Sequence, residues 1–342
     1  MTHQRCSLKI AFGLSPIKIK EIPKMINMTV LINQLIQLFI IICLGFIAYK
    51  SKALDEYSTK ILNKFVLNIT LPFMTIDSVL SMKQRPESSE FALLFGSSII
   101  FYLIMPVIAF IVVKIMMKTM HIIGSRQGAY MFMMIFSNVG FMGFPILQAA
   151  CGAGGDTAVF YAAILNIFFN ISAFSYGVII IGYGDTKRAT LKLKSLISPA
   201  IISSVLAIFI YLLDIHFPAT IESVIDTVGG LTSPLAMILV GATLASIKLA
   251  DVFDEWRIYV FTIIKQILLP IILYPVFRFF LGTGLLFNVM FIEFLMPAAN
   301  TALMISSEYG ADTKFVSKTI FITTALSLIT IPLTLYLCGI IY

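Results

Sequence analysis

Apolar runs of about 20 residues or more recur along this chain, and segments of that length cross a bilayer as helices. They lack the alternation over about ten residues that marks the strands of a membrane barrel. Composition agrees, since 59% of the 342 residues are hydrophobic and only 12% charged. We expect an all-α polytopic membrane protein with ten spans, near 29–48, 58–80, 91–117, 128–150, 157–181, 196–213, 221–246, 257–281, 286–307 and 314–339. Too few residues remain outside the spans for a separate soluble domain.

One run is interrupted where a spanning helix would carry Leu, Ile and Val. Phe136-Ser137-Asn138-Val139-Gly140-Phe141-Met142-Gly143-Phe144-Pro145 sets two glycines and a proline beside Ser and Asn, which start a helix better than they continue one. The prediction is a broken helix in span 4. Unwound backbone at membrane depth survives only inside protein or against a cavity, so the break is a candidate solute site.

Landmarks of the first five spans recur in the last five. Leu71-Pro72-Phe73-Met74 in span 2 answers to Ser233-Pro234-Leu235-Ala236 in span 7, and Met105-Pro106-Val107-Ile108 in span 3 to Leu269-Pro270-Ile271-Ile272 in span 8. Gly155-Asp156-Thr157 before span 5 answers to Ala311-Asp312-Thr313 before span 10. An odd number of spans per copy turns the second copy over, which predicts two inverted five-helix repeats, residues 28–182 and 196–342, joined by a basic loop at 183–195. Residues 1–27 are read as a poorly packed leader, with Met25 and Met28 as alternative starts. Span 9 reads Glu293-Phe294-Leu295-Met296-Pro297-Ala298-Ala299-Asn300-Thr301, a second break, again at position four of its repeat. Matching breaks in two halves point to a binding site near the bilayer midplane.

Over roughly residues 28–342 the sequence resembles the auxin efflux carrier family, which includes plant auxin exporters and bacterial malate and malonate permeases. The motifs are Asn138 to Gly143-Phe144-Pro145, Ser198-Pro199 opening span 6, Pro234 with Gly241-Ala242, and Pro297 with Glu308-Tyr309-Gly310. The resemblance implies an inverted-repeat fold in which spans 4 and 9 cross, and transport of organic anions. The plant carriers place proline immediately before the span 4 asparagine, where this chain has Ser137, and they carry a long loop between spans 5 and 6 that is short here. A small carboxylate is therefore a better fit than auxin.

A helix restarting at the midplane presents free N–H groups and the positive end of its dipole, which suits a carboxylate. Ser137 or Asn138 is expected to cap the second half of span 4, and Pro297 to fit the first turn of the second half of span 9. The candidate substrate contacts are Ser137, Asn138, Gly140, Gly143 and Pro145 on span 4, with Pro297, Ala298, Asn300 and Thr301 on span 9. Asn68, before Pro72, is a further candidate on span 2. The plainer alternative is that these residues only kink and pack the spans. Ionisable residues inside apolar spans are costly enough to be functional by default, and Glu293 and Lys265 stand out as candidates for ion coupling. They also have a bland reading, Glu293 near a membrane face or paired with Lys265, while Asp77, Lys114 and Arg278 read as interfacial.

No HExxH, GxSxG, Walker A or dinucleotide fingerprint occurs, so neither an enzyme nor a nucleotide-driven pump is expected. His3, His121 and His216 lie far apart, and Cys6, Cys43, Cys151 and Cys338 show no metal spacing and read as packing residues, so no metal and no cofactor is implied. The formal charge of +7 suits the anionic lipid surface, and no basic block interleaves with aromatics as nucleic acid would require. Lys50, Lys52, Lys118, Arg126, Lys187, Arg188, Lys192, Lys194, Lys248 and Arg257 fall in connections of one side, which predicts that side as cytoplasmic and both termini outside, although the basic leader weighs the other way. The reading is a secondary or facilitative carrier of small organic anions in the cell membrane, working by alternating access, with a homodimer left open. Its alternatives are a sodium- or proton-coupled carrier of related crossover fold, for which paired midplane aspartates are missing, and an ion channel.

Overall fold

The structure, a computed structural model, describes residues 28–81, 88–122, 124–183, 199–246, 255–309 and 312–340. The leader and nearly all of the basic loop therefore lie outside the described residues. What is described is helical: α1 (Met28–Lys50), α2 (56–80), α3 (Ser88–Met120), α4a (Gln127–Ile135), α4b (Val139–Ala150), α5 (Gly155–Ile181), α6 (Pro199–Leu213), α7 (Ala219–Ala245), α8 (Trp256–Leu281), α9a (Leu285–Leu295), α9b (Thr301–Tyr309) and α10 (Thr313–Leu337). Six of these, in α1, α3, α5, α7, α8 and α10, are long and apolar enough to cross a membrane. The chain is a polytopic helical membrane protein.

Helix starts follow local chemistry. Asp55 opens α2 with a capping box, accepting from the Ser58 amide at 2.7 Å while its own amide donates to the Ser58 hydroxyl at 2.8 Å. The Ser58 hydroxyl, ahead of the amide, holds the Asp55 carboxyl below its ordinary range. Asp312 caps α10 by accepting from the Phe315 amide at 3.0 Å. Pro72, Pro145 and Pro270 each follow, one residue on, a five-residue π turn: Val66–Thr70, Val139–Gly143 and Ile264–Leu268. A proline ring collides with the carbonyl four residues back, and widening the turn relieves that clash. The carbonyl freed before Pro270 belongs to Gln266, and the Thr334 hydroxyl of α10 donates to it at 2.9 Å. Pro106, the sequence counterpart of Pro270, sits inside the uninterrupted α3, so this pair does not share its local backbone.

The helices sort apolar from apolar by shape. On α3, Ile100, Leu103, Ile104, Val107, Ile111 and Ile115 face outward, while Tyr102, Met105, Ala109, Val113 and Met116 are buried. With lipid as apolar as leucine, inward faces are chosen for close packing, which favours small residues. Gly45 of α1 lies against the Ile238 carbonyl of α7, and Gly241 of α7 against the Ile42 carbonyl of α1, each leaving no room for a Cβ. Gly241→Ala is therefore expected to lower the melting temperature by several degrees, since overpacking costs about 1–3 kcal/mol. Gly96→Ala, which adds a methyl into open space, is the control. A Gly241→Ala protein that melts like the control shows that α1 and α7 pack at another spacing. Cys43 faces outward on α1, correcting its reading as a packing residue; Cys151 and Cys338 are half-buried.

Candidate functional site

Both predicted breaks are present, and they meet. α4a ends at Ile135, and Phe136 is extended with φ −100° and ψ 105°. α9a ends at Leu295, where Pro297 pushes the residue before it out of the helical region, so Met296 has φ −58° and ψ 149°. The unwound stretches pair antiparallel through Ser137 and Ala298. The Asn138 amide donates to the Pro297 carbonyl at 2.8 Å, and the Ala299 amide donates to the Phe136 carbonyl at 3.1 Å. The Ala298 amide donates to the Thr323 hydroxyl of α10 at 3.3 Å. Backbone groups that a bilayer could not satisfy are thus satisfied by the other break and by α10.

This pairing revises both expected caps. Asn138 stands at the cap position of α4b, but its side chain makes no capping bond; its carbonyl instead accepts from the Met142 and Gly143 amides at 3.2 and 3.1 Å. Pro297 lies in the paired stretch and not in the first turn of α9b, which begins at Thr301. Both departures have one cause: antiparallel pairing uses the backbone of residues 136–138 and 297–299 before a helix can claim it.

Ser137, Asn138 and Ala298 are buried, while Gly140, Asn300 and Thr301 keep partial exposure. Gly140 has room for a side chain, its nearest neighbour being Leu71 Cδ1 at 3.9 Å from a built Cβ. Gly143 has none, because both carboxyl oxygens of Glu293 lie where its Cβ would be. Pro145 is buried at the start of the α-helical part of α4b. Asn68 is exposed and donates to the Lys64 carbonyl on its own helix at 2.8 Å.

The two ionisable candidates, Lys265 and Glu293, converge on the breaks without meeting each other. Lys265, fully buried in the π turn of α8, donates from Nζ to the Ser137 hydroxyl at 2.9 Å. Glu293, 1% exposed, has no hydrogen-bond partner for either carboxyl oxygen among the described residues. The Asn138 Nδ2 is likewise buried and unpartnered. A Lys265–Glu293 ion pair does not occur, and Glu293 is enclosed by protein. Around them runs a polar seam between α8 and α10: Gln266 Nε2 donates to the Thr323 carbonyl at 3.1 Å, and the Thr330 hydroxyl donates to Gln266 Oε1 at 2.9 Å. Sequence reasoning missed this seam, although Thr319, Thr323, Thr330 and Thr334 recur at helical spacing on one face of span 10.

At one end of the molecule Arg126, before α4a, donates to Glu255 at 2.7 Å and to Asp312 at 3.2 Å, while Arg257 donates to Glu255 at 2.9 Å. These contacts bring the starts of α4a, α8 and α10 to the same end, as the loop-charge pattern expects of one membrane side.

A helical membrane protein with two interrupted helices joined at their breaks, and with ionisable side chains delivered there, has the build of a transporter. Residues 30–335 match a family model described as "Membrane transport protein". The chain belongs to this family, the auxin efflux carrier family of the resemblance. It is 27% identical over 304 residues to an uncharacterized transporter of Methanocaldococcus jannaschii, covering 86% of this chain and 95% of that one. It is 23% identical over 316 residues to the uncharacterized transporter YfdV of Escherichia coli, covering 90% and 98%. An uncharacterized transporter of Methanothermobacter thermautotrophicus is 23% identical over 307 residues, covering 87% and 95%.

Proposed function

We propose that this chain is a secondary or facilitative carrier of small organic anions, malate- or malonate-like carboxylates first, which moves them through the cell membrane by alternating access at the paired breaks. In this reading the helices form ten spans in two inverted repeats, and the end holding Arg126, Glu255 and Asp312 is cytoplasmic. One observation carries the choice of an anion: the Lys265 ammonium, fully buried, reaches the breaks through Ser137 with no carboxylate in ion-pair contact among the described residues. An ammonium in a low-dielectric site attracts a carboxylate and repels a coupling cation, and a bound carboxylate in turn favours the charged form of the lysine. Asn138, Asn300 and the amides opening α4b and α9b supply donors beside it. A sodium-coupled carrier would need that charge neutralised.

Counterflow in proteoliposomes tests the reading. Labelled mono- and dicarboxylates outside, with unlabelled substrate trapped inside, should show saturable uptake that internal substrate stimulates. Conductance that does not saturate would establish a channel, and exchange confined to cations would replace the anion reading.

A further inference from the structure

We propose that Glu293 is a proton-carrying site, taking up and releasing one proton in each transport cycle, and that Gly143 is glycine to seat its carboxyl group. The inference rests on the carrier reading and adds the coupling ion to it. The carboxyl projects from the last turn of α9a into the π turn that opens α4b, where both oxygens occupy the space of a Cβ on Gly143. Any other residue at 143 would displace it. No donor among the described residues reaches either oxygen, and the group is 1% exposed. A carboxylate held there would be an uncompensated buried charge, among the costliest elements a fold can hold. The neighbouring elements offer little to offset it. α3 brings Tyr102, within electrostatic reach of Glu293, and α5 brings Tyr176, whose hydroxyl donates to the Tyr102 carbonyl at 2.7 Å. α8 brings Tyr274, packed edge-on against Phe287 and Phe291, and Lys265, which is occupied by Ser137. The residues of α4b around Gly143 bring no ionisable group. Because the antiparallel pairing sets α9a and α4b on the same side of the breaks, a movement that opens that side to admit substrate also uncovers the carboxyl to water. The proton then enters from the open side, Glu–COO⁻ becoming Glu–COOH, and leaves to the other side after the site has changed its access.

The test measures uptake and proton movement together in proteoliposomes containing a trapped pH dye. Wild type should co-transport protons with the anion, and an inward gradient of one pH unit should drive up to about tenfold accumulation at one proton per substrate. Glu293→Gln should retain counterflow but lose both substrate-linked proton movement and accumulation. Gly143→Ala should impair both functions by unseating the carboxyl. Adding Glu293→Ala to it removes the carboxyl that the new Cβ would meet and should leave coupling absent. Wild-type uptake without proton movement, or gradient-driven accumulation that survives in Glu293→Gln or in the double variant, overturns the inference while leaving a carrier in place. Absence of counterflow for every carboxylate in wild type overturns the carrier reading itself.

Discussion

Lys265→Met is expected to weaken binding of a small carboxylate by roughly 30-fold to several thousand-fold, the about 2–5 kcal/mol that loss of one partner of a desolvated charge pair costs. Methionine matches the length and flexibility of lysine without its charge, so the packing of α8 against α10 should persist. Stability should move the other way from binding. Lys265 is fully buried with one hydrogen bond, to the Ser137 hydroxyl, and removing an ammonium so placed relieves a desolvation penalty. The folded variant should melt at or above the wild-type temperature while its affinity collapses. Lys265→Arg should recover only part of the loss, because a planar guanidinium is larger and its donors are fixed in a fork. Equilibrium binding of labelled dicarboxylate to purified protein, beside a melting curve, reads both effects. Wild-type affinity in a stable Lys265→Met protein would take the lysine out of the site.

The lysine also shows how far the sequence could be read. An ionisable residue in an apolar span is visible in one dimension, and so is a proline followed by asparagine inside a run that should be helix. What pairs with what is not. Nothing in the spacing between Ser137 and Lys265, 128 residues apart, indicates that the hydroxyl accepts from the ammonium; that contact exists because the span 4 break turns residue 137 toward α8. The misplaced caps have the same origin. Capping preferences describe an isolated helix end, whereas Asn138 and Pro297 sit where two chain segments pair, and tertiary hydrogen bonds take precedence over local ones. Glycines were legible only as breakers. Gly140 and Gly143 look alike in the sequence, yet one faces open space and the other faces a carboxyl group. Helix positions were the most readable feature, since run length alone fixes them. The proposed relation between the two halves rests on matching prolines, matching Asp-Thr pairs and matching breaks, and the differing backbones at Pro106 and Pro270 show how little local structure such a match guarantees.

Asn138 and Asn300 bear most directly on the site. Asn138 is buried with its amide nitrogen unpartnered, a state that costs about 1–3 kcal/mol and that an accepting carboxylate would relieve. Asn300 stands on the other break, partly exposed, just before α9b. If both amides donate to the same anion, each hydrogen bond to charge contributes roughly 1.5–3 kcal/mol, about 10- to 100-fold in affinity. Aspartate at either position should bind more weakly than alanine, because it sets a negative charge beside the substrate instead of only deleting a donor. The decisive measurement is binding of labelled dicarboxylate to purified wild type, Asn138→Ala, Asn300→Ala and the two aspartate variants, each checked for monodispersity and melting temperature. An anion site at the paired breaks predicts affinity falling in the order wild type, alanine, aspartate at both positions; wild-type affinity in both folded alanine variants would contradict it and place the binding site elsewhere in the protein.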